Sequence, residues 1–180
     1  MVKQPITIIS YGQFENDFLL RIAEKISAEY YLPVIIEDKY IDLSVFYDPA
    51  RRQYDANKLL KEIEINSSPQ SLKTMGLFRV DLFIPILTYI FGQAYLKGRA
   101  GIVSLYRLKN ELYGIAPDNH LLFLRFIKVI IHELGHTFGL KHCHTPSCVM
   151  LSSTYMEDID QKDSTLCIKC RTELDLGPNT

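Results

Sequence analysis

At 180 residues, with 47% apolar and 23% charged side chains, the chain is long enough to bury a core and fits one domain. Its formal net charge of −1 is interspersed along the sequence, which argues against nucleic acid or an anionic membrane as the main partner. The most apolar stretch, Val80 to Gly92, is interrupted by Pro85 and too short to span a bilayer, and no signal-peptide core follows Met1, so the expectation is a cytoplasmic protein.

Ile6 to Ser10 is short and β-branched and reads as a first strand. Phe18, Leu19, Ile22, Ala23 and Ile26 then recur at helical spacing, which predicts an amphipathic helix from about Glu15 to Tyr30. Leu32 to Glu37 reads as a second strand, and Tyr47 to Tyr54 as a polar, turn-rich loop. Asp55 is a suitable N-cap for a short helix with Leu59 and Ile63 on one face. Leu77 to Ile84 reads as a third strand ended by Pro85. Phe91 to Arg99, with Gly92 and Gly98, reads as a loop, and Ala100 to Leu108 as a fourth strand, with a last short strand near Leu112. A long, mostly buried helix is expected from Asp118 or Asn119, because only Arg125 and Lys128 are polar between Leu121 and Ile131. Short irregular segments follow, and Leu176 to Thr180 reads as a loose tail.

The strongest signal lies at the end of that helix. His132-Glu133-Leu134-Gly135-His136 places two imidazoles one turn apart on one helix face, separated by about 6 Å of rise. Both can therefore reach one metal ion. Gly139 lets the backbone leave the helix, since glycine accepts positive φ, and His142 can then return as a third ligand. Three protein ligands leave a tetrahedral zinc one open position, the condition for a catalytic site. Glu133, about 100° around the helix from His132, can face water at that position without binding the metal. The chemistry expected of such an arrangement is hydrolysis, with Glu133 taking a proton from water and returning it to a leaving nitrogen. His144 is a spare imidazole read as a surface residue, and His120 as a surface or cap residue. Arg125 and Val129 project near the face of the histidine pair; Arg125 is expected to pair with an internal acid, the alternative being a substrate carboxylate.

The four cysteines, Cys143, Cys148, Cys167 and Cys170, all follow the histidine motif. In a reducing compartment two such pairs suit an all-cysteine, closed tetrahedral zinc site better than disulfides. A site without an open position is structural, and would pin the segment after residue 140. A redox C-x-x-C is the competing reading, and lacks the strand and helix context of a thioredoxin-like motif.

The motif H-E-x-x-H-x-x-G-x-x-H followed at once by Cys, then x4-Cys-x-Met and a distant Cys-x2-Cys, resembles the archaemetzincins, a branch of the metzincin zinc metallopeptidases. The resemblance implies an α/β (α+β) metzincin-like zincin fold. Its parts are a twisted, mostly parallel five-stranded sheet, two long helices and a small irregular C-terminal lobe. The implied division is an N-terminal lobe of about 1–140 and a zinc-stapled lobe of about 141–180 within one metallopeptidase domain. It also implies a methionine turn under the metal, at Met150, with Met156 as the fallback, and a fourth strand (Ala100 to Tyr106) forming the sheet edge that takes an extended peptide. The expected function is zinc-dependent peptide hydrolysis, with aminopeptidase action as one form, by a monomer holding two zinc ions, one catalytic and one structural. A zinc-binding interaction protein with little turnover is the alternative.

Overall fold

In the computed structural model, which describes residues 3–176, nine strands and five helices are present among the described residues. The strands are β1 (Ile6–Ser10), β2 (Val34–Asp38), β3 (Tyr47–Asp48), β4 (Gln53–Asp55), β5 (Lys73–Phe78), β6 (Leu82–Ile84), β7 (Leu87–Ile90), β8 (Gly92–Ala94) and β9 (Ala100–Ser104). The helices are α1 (Asn16–Tyr30), α2 (Ala56–Ile65), α3 (Asn119–Thr137), α4 (Met156–Asp160) and α5 (Ile168–Leu176).

Five strands form the main sheet in the order β2-β1-β5-β9-β8, parallel except for β8 on β9. Every residue of β1, β5 and β9 is buried, as expected for parallel strands covered on both faces. Alternation along the strands sorts their side chains. Ile6, Ile8, Met75 and Leu77 join Ile22 and Ile26 of α1 and Phe126 and Ile130 of α3 in one cluster. Ile9, Phe78 and Ile102 pack on the opposite face against Ala56, Leu59, Leu60 and Ile63 of α2. The long helix α3 therefore lies against the sheet with its histidine-bearing end beside β8 and β9.

The predicted α1, α2 and α3 are all present. Asp55 accepts hydrogen bonds from the Asn57 and Lys58 N–H groups, and Asp118 accepts from Leu121 N–H at 2.9 Å, so both expected caps form. Several strand readings are corrected. The segment Leu77 to Ile84 is not one strand: β5 begins earlier, at Lys73, and β6 belongs to a second sheet of order β3-β4-β6-β7. The break falls at Val80 and Asp81, whose polar groups are taken out of the ladder. Ser104 donates to the Val80 carbonyl at 2.6 Å, and the buried Asp81 carboxylate receives Gln53 and Arg107. The fourth strand stops at Ser104 and gives way to 3-10 turns at Tyr106–Leu108 and Asn110–Tyr113, so no strand forms near Leu112. The expected loop Phe91 to Arg99 contains β8, and β8, not the Ala100 segment, is the sheet edge.

Past residue 140 the chain is less irregular than expected, since α4 and α5 form there. Glu29 of α1 ties this part down: its carboxylate accepts from Leu166 N–H at 3.0 Å and from Arg171, whose Nη1 also donates to the Glu29 carbonyl at 2.6 Å. Of the expected tail, Leu176 ends α5 and residues 177–180 lie outside the described residues.

Candidate metal centres

Helix α3 ends in a Schellman turn. Leu140 N–H bonds to the Gly135 carbonyl and Gly139 N–H to the His136 carbonyl, both at 2.9 Å, with Gly139 at φ +99°. This turn sends the chain back toward the helix, and the ligand-capable nitrogens of His132, His136 and His142 all come within 4.8 Å of one another. His132 is buried, His136 half-buried and His142 exposed.

Each helical imidazole is held from behind by a backbone carbonyl. His132 Nδ1 lies 2.8 Å from the Val149 oxygen and His136 Nδ1 2.8 Å from the Leu140 oxygen. A carbonyl only accepts, so each Nδ1 carries the proton and each Nε2 presents a lone pair. Those two lone pairs face each other at 3.0 Å, where neither has a proton to share. A cation resolves that conflict, and tetrahedral zinc with Zn–N near 2.0–2.1 Å sets ligand nitrogens about 3.3 Å apart. The helical pair fits zinc to within a few tenths of an ångström, and His142 lies within 4.8 Å of both. Burial lowers the proton affinity of all three imidazoles, His132 most strongly, which keeps them in the neutral form a metal needs.

Glu133 is buried beside the histidines, and burial pushes its carboxyl up to about 8 while the Lys162 ammonium pulls the other way. The edge strand β8 passes directly over it. A Cβ at Gly92 would stand 2.8 Å from Glu133 Cγ, so only glycine admits this approach. Lys162, absent from the sequence reading, is 3% exposed, donates to the Leu151 carbonyl at 2.8 Å and lies 3.4 Å from His132 Nδ1. Burial drops its ammonium to about 8, with Glu133 holding it up. No periodicity or motif marks it; a single lysine in a polar stretch looks like solvent-facing charge.

These groups open onto a cleft of about 540 Å³. Its walls include Tyr89 and Phe91 above, Val129 of α3, and Ser153, Tyr155 and Ile159 below. Met150 is fully buried, and a Cβ at Gly135 would overlap its sulfur, so Met150 packs directly against the histidine helix. Gly135→Ala is therefore expected to cost about 1–3 kcal/mol through overpacking. Thermal unfolding measured beside zinc content checks this, and an unchanged midpoint would show that the Met150 contact is slack.

The four cysteines form a second cluster. Cys143 and Cys167 sulfurs are 3.8 Å apart, as are Cys148 and Cys170, and all four lie within 4.8 Å. Zinc–thiolate bonds of about 2.3 Å in a tetrahedron place sulfurs about 3.8 Å apart, so the cluster matches that geometry. Without a cation, burial and its neighbours push the Cys170 thiol up, while at Cys167 hydrogen bonds outweigh burial and pull the thiol down to about 6. Cys143 N–H bonds to the Met150 carbonyl at 2.9 Å, which ties this cluster to the floor of the histidine site.

The remaining candidates fall outside both clusters. Arg125 is 4% exposed and pairs with Asp160 through two 2.7 Å bonds, with further bonds to Asn110 and the Leu108 carbonyl. It is occupied by an internal acid, as preferred from sequence. His120 and His144 are exposed.

Comparison with known proteins agrees over nearly the whole chain. The model described as Peptidase family M54 matches residues 9–176. The archaemetzincin of Pyrococcus furiosus is 36% identical, over 97% of this chain and 94% of its own. That of Methanocaldococcus jannaschii is 34% identical, over 88% and 87%. The crystal structure of archaemetzincin from Methanopyrus kandleri superposes with a TM-score of 0.85 at 30% identity, covering 99% of this chain and 97% of that one. A zinc-dependent peptidase from Methanocorpusculum labreanum gives 0.84 at 31%, covering 94% and 99%.

Proposed function

The chain belongs to peptidase family M54, the archaemetzincins, and from that premise we propose that it cuts peptide bonds at a zinc ion held by His132, His136 and His142. As a member of that family it is a zinc-dependent metallopeptidase acting on peptides. The observation that carries the site assignment is the pair of unprotonated Nε2 atoms held 3.0 Å apart by backbone-anchored imidazoles, with Glu133 buried beside them. Zinc bound there would polarise the scissile carbonyl and lower the pKa of water toward ~7.

Glu133 takes the proton of the attacking water on a carboxylate oxygen and passes it to the leaving amine nitrogen. Its burial raises its proton affinity toward the operating range, which suits a group that must both accept and return a proton. His132 and His136 keep their orientation through Val149 and Leu140 and hold no proton on Nε2. Met150 supplies an apolar floor. Strand β8, unpaired on its outer side among the described residues, offers main-chain groups next to Glu133 for an extended substrate. Cys143, Cys148, Cys167 and Cys170 hold a second, structural zinc.

The reading extends to a monomeric, cytoplasmic protein of one domain, in which the described residues from 141 to 176 form a zinc-stapled lobe under the cleft, with no nucleic-acid or membrane partner. No helix among the described residues is long and apolar enough to cross a membrane. Zinc-loaded protein incubated with a mixed peptide library should generate new termini, read by mass spectrometry. Chelation should stop the reaction and added zinc restore it. Cleavage at full rate by metal-free protein would sink the reading, and silence against every peptide would favour zinc binding without turnover. Acetylated N-termini separate aminopeptidase from endopeptidase action: only the former is blocked.

A further inference from the structure

The lower wall of the cleft holds two buried donors whose bonding is incomplete. Lys162 is 3% exposed, and its ammonium has three protons to place. Among the described residues its one usable acceptor is the Leu151 carbonyl at 2.8 Å. His132 Nδ1, at 3.4 Å, gives its own proton to Val149 and cannot accept another. No carboxylate stands within ion-pair distance of Lys162 among the described residues. Ser153 contributes a hydroxyl that is buried and has no partner among the described residues. Both residues line the same cleft as Glu133 and the histidines, as do the apolar Val129 and Ile159.

A lysine kept only to fasten Leu151 needs one bond, and its buried charge, eased by Glu133 only from beyond ion-pair distance, is costly. Two orphan donors lining one cleft, one of them cationic, together suit an anion with two oxygens. We propose that Lys162 and Ser153 form a carboxylate-binding subsite, so that the enzyme favours substrates bearing a carboxylate close to the scissile bond, on the His132 side of the metal. This rests on the peptidase reading. The carboxylate comes either from an Asp or Glu side chain or from the substrate's free C-terminus, and the two sources present the same group to the site.

The test compares zinc-loaded enzyme on matched peptides that differ in Glu against Gln at each position flanking the cut, each made with a free and an amidated C-terminus. The expected result is a kcat/KM ratio of roughly 10- to 100-fold for carboxylate over amide at one position, the scale of one or two charge-assisted hydrogen bonds. Preference that survives C-terminal amidation assigns the side chain; preference that vanishes with it assigns the terminus. In Lys162→Met the ratio should fall to about one, and in Ser153→Ala it should shrink. Calorimetric affinities of the same peptides for zinc-loaded Glu133→Gln give the ratio without turnover. A ratio near one in the wild type overturns the subsite, as does a preference that persists in a folded, zinc-replete Lys162→Met. No hydrolysis of any peptide would instead count against the peptidase reading, and the binding ratio would still judge the subsite.

Discussion

Glu133→Gln is expected to bind zinc at wild-type stoichiometry and to lose about 10²- to 10⁴-fold in kcat, the usual contribution of a positioned general base. Glutamine keeps the shape that fits under Gly92, where β8 crosses Glu133 too closely for any Cβ. It removes only the ability to take a proton. The carboxyl is buried and is absent from the converging nitrogens of the three histidines, so its replacement leaves the metal donors in place. Metal analysis and steady-state kinetics on one preparation decide the point. Wild-type turnover in the variant would remove Glu133 from the reaction, whereas zinc loss would make it part of the metal's support.

Cys148→Ser is expected to release one zinc and unfold the segment that follows residue 140. Structural zinc sites contribute on the order of 10 kcal/mol to folding, as much as the whole stability of many domains. Cys148 is 2% exposed, its sulfur lies 3.8 Å from that of Cys170, and it accepts from Cys167 N–H at 3.4 Å. Serine offers a poorer ligand and a shorter reach at the centre of that cluster. The damage should spread, because Cys143 follows His142 directly and bonds to Met150 under the histidine helix. Zinc per chain, thermal unfolding and limited proteolysis past residue 140 measure the effect. A variant that keeps both its melting point and its full zinc content would show that the cysteines do not share a metal.

The parts of this protein that are legible in sequence are those that one helix or one short turn determines alone. Asp55 and Asp118 cap the helices they precede, and His132, Glu133, His136 and Gly139 occupy fixed angles around a single helix end. The strands were harder. Leu77 to Ile84 looks continuous, yet β5 and β6 lie in different sheets because Asp81 is drawn toward Gln53 and Arg107, residues distant in the chain. Likewise β8 has three residues and begins at a glycine, so its pairing with β9 decides its conformation more than its own composition does.

Three imidazoles at spacings set by helical geometry and a glycine turn, and four thiols in two closely spaced pairs, mark the candidate metal-binding atoms along the chain alone. How those atoms are prepared depends on segments that meet in the folded chain. The carbonyls of Val149 and Leu140 choose the imidazole tautomers, β8 roofs Glu133, and Lys162 and Ser153 arrive in the cleft wall with donors to spare. Helical periodicity acts over a few residues and can be read along the chain. Burial, hydrogen-bond partnership and the proton affinities they shift belong to segments that become neighbours only when the core packs.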